Sequence, residues 1–205
     1  MDLRRTLLLF SFIFTGSLAI AQPKDRWTIQ DGGAIRWSIN DNIPHDDHLE
    51  MSGQQLSVVL RYGVDAQKRF HLNRSLVFPM LRMHPNKTQN NLKQRFDVNI
   101  PALVTVDDQT LLNEEVRDVT FNGIMRVESS FGYIYRRKEL KDAVQLTRVL
   151  YPSTNAAHYC EEYTFKNSSP NQITLRVPEW NVIYTTPEEA GVYAVSYTHL
   201  RAHET

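Results

Sequence analysis

Hydrophobic and polar residues alternate with a period of two along most of the chain, which is the pattern of half-buried β-strands. The alternating segments are rich in Val, Ile, Thr, Tyr and Phe, which suit a pleated, partly buried surface. Turn-forming residues separate them, such as Asn122-Gly123 and the polar residues of 167–171. The pattern predicts strands over 55–62, 70–78, 116–129, 133–137, 143–151, 159–167, 172–177 and 181–186.

Helical periodicity is scarce. Residues 90–96 fit a short helix or a loop, residues 188–189 fit the start of one helical turn, and the basic stretch 136–139 fits a solvated loop or sheet edge. Segments 55–62 and 70–78, joined by a turn at 63–66, predict a hairpin. Many short strands without intervening helices indicate an all-β fold, an antiparallel β-sandwich or barrel, in one domain over residues 22–194.

The first residues have the organisation of a secretory signal peptide over residues 1–21. Arg4 and Arg5 precede an apolar run over 7–14, and a small-residue stretch ends at Ala21. The run is shorter than the roughly 20 residues that cross a bilayer, so a cleaved leader is favoured over a buried helix or a retained anchor. We expect cleavage before Gln22, no membrane span in the mature chain, and export to the periplasm, cell surface or exterior of a Gram-negative bacterium.

The last residues look foreign to the rest of the chain. Residues 195–205 resemble the translation of a transposase sequencing adaptor at eleven consecutive positions. Added sequence of this kind is kept out of fold reasoning, so the metal-like spacing of His199 and His203 is given no role. We expect the natural sequence to continue differently after residue 194, as part of a longer protein.

Charge and cysteine content exclude several classes of function. Without the two ends, which carry three Arg, one Asp and one Glu, the formal net charge falls from zero to −1. A chain this neutral lacks the basic surface that binds nucleic acid or anionic membranes. Cys160 is the single cysteine, so packing rather than an internal disulfide must hold the exported domain together.

The densest group of ionisable residues is the acidic-histidine segment, residues 45–50, which lies between Pro44 and Gly53. Because Pro and Gly fix loop geometry, we expect a surface loop that contacts substrate or a neighbouring domain. Carboxylates and imidazoles suit sugar hydroxyls. A solvated loop and a divalent metal site are the alternatives, although no H-x-H or C-x-x-C pair follows to complete a zinc site. The candidate substrate-binding or interface residues are His45, Asp46, Asp47, His48, Glu50 and Arg82.

Other chemistry finds little support in the residues. No G-x-S-x-G motif, Ser-His-Asp arrangement or phosphate-binding glycine loop is present, and Cys160 falls within a strand pattern. Trp27, Trp37 and Trp180 suit sugar stacking, but the core of a β domain is the favoured place for tryptophan. We therefore predict no catalytic residue, cofactor or metal ligand in this chain.

Six segments of the chain resemble one family of proteins. Four of them are WSI at 37–39, PHDDHLEMSG at 44–53, RYGVD at 61–65 and VFPMLR at 77–82. With EYTFKN at 162–167 and IYTT at 183–186, they resemble the N-terminal region of exported bacterial six-hairpin glycosidases, often described as amylo-α-1,6-glucosidase or glycogen-debranching-like. In that family a supersandwich-like β-sandwich precedes an (α/α)6 barrel that carries the general acid and base.

The resemblance implies an accessory domain that borders the substrate cleft of a glycoside hydrolase and is truncated before its catalytic barrel. Its implied partners are carbohydrate and that barrel, and the fragment itself is expected to be inactive. A stand-alone carbohydrate-binding or cell-surface adhesion module is the alternative, and a purely structural β domain of another exported protein is a third possibility.

Overall fold

The computed structural model describes residues 25–78, 93–179, 181–185 and 195–199. The predicted leader, Arg82, Trp180 and residues 188–189 lie outside these ranges. Within them the chain is all-β, with one 3₁₀ turn (Ile100–Leu103) and no helix long and apolar enough to cross a membrane. The strands are β1 (Thr28–Ile29), β2 (Ile35–Ser38), β3 (His45–Ser52), β4 (Ser57–Val64), β5 (Phe70–Val77), β6 (Lys93–Phe96), β7 (Thr105–Val106), β8 (Gln109–Thr110), β9 (Leu112–Phe121), β10 (Met125–Tyr135), β11 (Lys138–Pro152), β12 (Tyr159–Asn167), β13 (Leu175–Arg176), β14 (Asn181–Thr185) and β15 (Val195–His199).

These strands form two large and two small sheets. The six-stranded sheet has the order β1-β2-β9-β10-β11-β12, and the four-stranded sheet has the order β3-β4-β5-β6. The small sheets are β13-β7-β8 and β14-β15. Every pair of neighbouring strands in the described residues is antiparallel, so the prediction of an all-β, antiparallel chain is confirmed.

The hairpin predicted from residues 55–78 is confirmed, because β4 pairs with β5 along its whole length. Its turn comes later than predicted, since Val64 is still paired with Phe70. The Asp65 carboxylate closes the turn by accepting hydrogen bonds from the backbone N–H groups of Gln67 and Arg69, both at 2.9 Å. Aspartate favours such turns for this reason.

The hairpin between β10 and β11 has a two-residue turn. Tyr135 pairs with Lys138, which leaves only Arg136 and Arg137 to reverse the chain. Their φ angles are 49° and 68°, in the left-handed region that the tightest hairpin turns require. The solvated loop predicted over 136–139 is therefore confined to two residues.

Two other sequence predictions need correction. Residues 93–96, expected as helix or loop, form β6, because β5 offers them a free edge and Val77 pairs with Lys93. The strand predicted over 172–177 contracts to Leu175–Arg176, which pairs with β7. In both places the available sheet edge, rather than local periodicity, sets the strand length.

One core cluster joins the two large sheets. Val58 and Leu60 of β4 are fully buried, and the same cluster holds Val119 of β9 and Val127 of β10. Full burial of an aliphatic side chain of this size contributes roughly 1.5–3 kcal/mol. Trp37 is 6% exposed within this cluster, so its predicted place in the core is confirmed.

A second cluster lies farther along the long strands. Phe131 and Tyr133 of β10 and Leu146 of β11 are buried there together with Val106 of β7. Leu175 of β13 packs against them, which explains why two very short strands are retained. The small sheet thus covers the part of β10 and β11 that the first cluster does not reach.

The C-terminal strand β15 belongs to the segment that resembles an adaptor. It pairs with β14 from Asn181↔His199 to Thr185↔Val195. In the described residues this two-stranded sheet pairs with neither large sheet. The foreign origin of residues 195–205 stays a prediction.

Candidate functional site

The acidic-histidine segment is an edge strand and not a loop. Residues His45–Ser52 form β3, and in the described part of the chain β3 pairs with β4 alone. The loop prediction was wrong because Pro44 precedes the strand and Gly53 follows it, where its backbone N–H donates to the Leu56 carbonyl at 2.8 Å in the turn to β4. Leu49 and Met51 lie on the inner side of β3 and hold it against the core.

The strand divides the ionisable residues between two faces, because successive side chains of a strand point to opposite sides. His45 and Asp47 lie on the partly buried inner side. Asp46, His48 and Glu50 are exposed on the outer side. The segment therefore does not act as one cluster, and Arg82 lies outside the described residues.

On the inner side, His45 joins β3 to the N-terminal residues. Arg26 Nη1 lies 2.5 Å from His45 Nε2, and the Arg26 guanidinium stacks 5.4 Å from the Trp37 ring centre. Trp37 meets His45 edge-on at 5.2 Å and Trp27 at 6.1 Å. Because arginine only donates, His45 Nε2 is the acceptor in this contact.

Asp47 completes this inner group. Its Oδ2 lies 3.5 Å from His45 Nε2, and its Oδ1 accepts the His48 backbone N–H at 2.8 Å. Tyr62 is 3% exposed nearby, and burial, followed by the negative charge of Asp47, raises the pKa of its phenol well above the ordinary value. Tyr62 is therefore a neutral core residue.

On the outer side, Asp46 reaches across one strand to His71. Asp46, Gly63 and His71 are register partners on β3, β4 and β5, and Asp46 Oδ1 lies 2.5 Å from His71 Nε2. A Cβ atom at position 63 would overlap both the carboxylate and the imidazole. The pair thus depends on glycine at the middle strand, and sequence reasoning missed His71 because it lies 25 residues from Asp46.

The next cross-strand row is His48, Arg61 and Asn73. These three side chains are exposed and, with Asp46 and His71, line a shallow, open depression. We call this set of five residues the outer polar face. Since three paired strands hold it, its side chains have a fixed spacing that a loop would not provide.

Between the sheets lies a buried ion pair that the sequence did not reveal. Arg74 is 2% exposed and donates through Nε and Nη2 to both carboxylate oxygens of Glu161, with Nη2 to Oε2 at 2.8 Å. Nη1 donates to the Val98 carbonyl at 3.1 Å, and the Tyr163 hydroxyl donates to Glu161 Oε2 at 2.6 Å. Burial alone would lower the pKa of Arg74, but the Glu161 charge and hydrogen bonds raise it, so the guanidinium stays charged.

A second buried pair lies beside the first. Arg148 Nη1 is 2.6 Å from Glu114 Oε1, in an orientation that gives this oxygen no aligned hydrogen bond. Arg148 also donates to Ser129 Oγ at 3.1 Å and lies 5.1 Å over the Phe70 ring. A signal was available for both pairs, since Arg74 and Arg148 occupy inward positions of strands that alternate with apolar residues.

Neither metal chemistry nor thiol chemistry gains support from the described residues. No group of three or more His, Cys, Asp or Glu side chains in them is arranged to hold a metal ion. Cys160 lies in β12, where burial and then the Glu162 charge raise the pKa of its thiol. This shift is opposite to the one that activates a cysteine nucleophile.

Comparison of the chain with protein-family models, with curated proteins and with solved structures found no match.

Proposed function

We propose that this chain is the N-terminal accessory domain of an exported glycoside hydrolase. Its two large sheets form a β-sandwich, and the outer polar face borders the substrate cleft or the (α/α)6 catalytic barrel of the same protein. The sandwich assignment is supported by the core cluster to which both sheets contribute.

The observation that carries the proposal is the outer polar face. Five hydrogen-bonding side chains from three adjacent strands are exposed on one sheet surface. Polar side chains on a rigid scaffold bind ligands without the entropic cost of ordering a loop. Sugar hydroxyls, and the polar rim of a domain interface, are ligands that such donors and acceptors match.

The most buried carboxylates are paired with arginines, which agrees with a role without catalysis. Glu161 and Glu114 each face an arginine between the sheets. A general acid or base must reach a substrate proton at hydrogen-bond distance, and the two arginines occupy these carboxylates. The proposal therefore places the chemistry in the downstream barrel.

The first test is the coding sequence after residue 194. Several hundred residues with helical periodicity are expected. An early stop codon, or a run of further β modules, would refute the accessory-domain proposal and favour a stand-alone binding or adhesion module.

The second test uses the chain expressed with its own leader. Intact mass should show a mature form beginning at Gln22, and the product should hydrolyse no aryl-glycoside or oligosaccharide above a mock preparation. On a glycan panel, replacing His48 and Asn73 by Ala should reduce binding. Replacing Thr164 and Lys166 by Ala, at exposed positions of β12, is the matched control and should have no effect.

A further inference from the structure

We infer that the outer polar face recognises an acidic saccharide, with Arg61 as the anchor for a sugar carboxylate. This inference rests on the proposed carbohydrate contact and specifies its chemical class. It follows from which groups of the face are already paired and which are not.

Asp46 is the carboxylate of the outer polar face, and its side chain contacts a protein partner. Asp46 Oδ1 lies 2.5 Å from His71 Nε2, so this oxygen already has a partner. The neighbouring Asp47 lies on the other side of β3, facing His45. In the described residues neither carboxylate forms an ion pair with Arg61.

The donors of the face are available. In the described residues, the side chains of Arg61, His48 and Asn73 form no hydrogen bond or ion pair with one another or with other side chains. They stand in one row across three strands, which makes the row about 10 Å long. A guanidinium flanked by an imidazole and an amide presents donors along this whole length.

A carboxylate is the group that this row fits best. The planar guanidinium binds a carboxylate through two parallel hydrogen bonds. His48 and Asn73 then lie on either side, where they can donate to ring hydroxyls. The outward positions of β3, β4 and β5 hold no aromatic residue, so recognition here depends on charge and hydrogen bonds rather than on stacking against a neutral sugar ring.

Glu50 opposes this recognition. It is exposed on the same face, one row beyond Arg61, and its contact with Ser52 Oγ at 3.5 Å is weak. Diagonal neighbours on a sheet are roughly 7–8 Å apart. In the described residues Glu50 forms no ion pair with Arg61, and at this distance its charge would repel a bound anion. Removing the Glu50 charge should therefore strengthen the binding of an acidic saccharide. A surface that only contacts solvent would show no such gain.

The test is calorimetric titration of the mature chain with a galacturonate trisaccharide and with the neutral galactose trisaccharide, at low ionic strength. The acidic sugar should bind more tightly and weaken with added salt. Arg61→Gln should lower its affinity about tenfold or more, Arg61→Lys less, and Glu50→Gln should raise it. Thr164→Ala should change nothing, and circular dichroism should show the same fold for every variant.

Each other outcome has one meaning. Equal binding of both sugars, unaffected by Arg61→Gln, overturns this inference and leaves the carbohydrate role of the domain in place. Binding of neither sugar overturns the inference together with that carbohydrate role, and the downstream coding sequence then decides the accessory-domain proposal. Loss of binding in the Thr164→Ala control would show that the face is not the site.

Discussion

Replacing Glu161 by Gln removes one charge from the interior while keeping the shape of the side chain. Arg74 is 2% exposed and would keep its charge, and its contacts would still include the Leu72 and Val98 carbonyls and the Tyr163 hydroxyl. Removing one charged partner of a buried ion pair costs about 3–5 kcal/mol. A domain of ordinary stability has about 5–15 kcal/mol in total, so Glu161→Gln should bring the chain close to unfolding at room temperature.

The assay is equilibrium urea unfolding of the chain, followed by circular dichroism and tryptophan fluorescence. The matched control is Glu128→Gln, because Glu128 pairs with Arg126 at 2.9 Å on the exposed surface, where such a pair contributes about 0–1 kcal/mol. The double variant Arg74→Met with Glu161→Gln should be less destabilised than the two single changes together, since no lone charge remains. If Glu161→Gln cost no more than Glu128→Gln, the reasoning about the buried pair would be refuted.

Three further changes test other parts of the structure. Gly63→Ala should separate His71 from its aspartate with less than about 1 kcal/mol lost; unchanged ¹⁵N shifts of the His71 ring would contradict this. Burial raises the pKa of Asp118, but hydrogen bonds from Arg36 and Ser38 hold it below its ordinary value. This carboxylate therefore stabilises the fold above about pH 4, and the stabilisation is lost as the pH falls through the lowered pKa. Asp118→Asn should therefore flatten the acid side of the urea-midpoint profile, and a parallel profile would argue against it. Arg136 and Arg137 have left-handed backbone conformations, which cost roughly 1–2 kcal/mol per residue. Replacing them by Asn and Gly, which favour this conformation, should raise the melting temperature. A lower melting temperature would contradict the left-handed turn at these two residues.

The strand pattern predicted the fold better than it predicted the site. Strands β5 and β12 match the predicted segments 70–78 and 159–167, so local sequence was sufficient there. The strand predicted over 116–129 is instead divided by a turn at 122–124, and the one predicted over 133–137 ends at Tyr135, because β10 pairs with β9 and β11 on either side. The acidic-histidine segment also alternates, but only Leu49 and Met51 are apolar, and an edge strand needs no more. Composition suggested a loop, whereas pairing with β4 decided the outcome.

The site partners escaped prediction for a different reason. Asp46 meets His71 only because three strands align in register. Arg74 of β5 meets Glu161 of β12, 87 residues away in sequence, only because strands of two different sheets contribute to one interior. Contacts of this kind depend on register and packing, which local periodicity does not encode.

The position of β3 has a consequence for the solubility of the chain. In the described residues one side of this strand has no neighbour, so its backbone N–H and C=O groups could template another chain. Carboxylates on both faces, Asp47 inward and Asp46 and Glu50 outward, oppose that addition, because an incoming strand would bring like charges together or bury them. Even without any ligand, this segment therefore guards the newly folded protein against edge-to-edge aggregation.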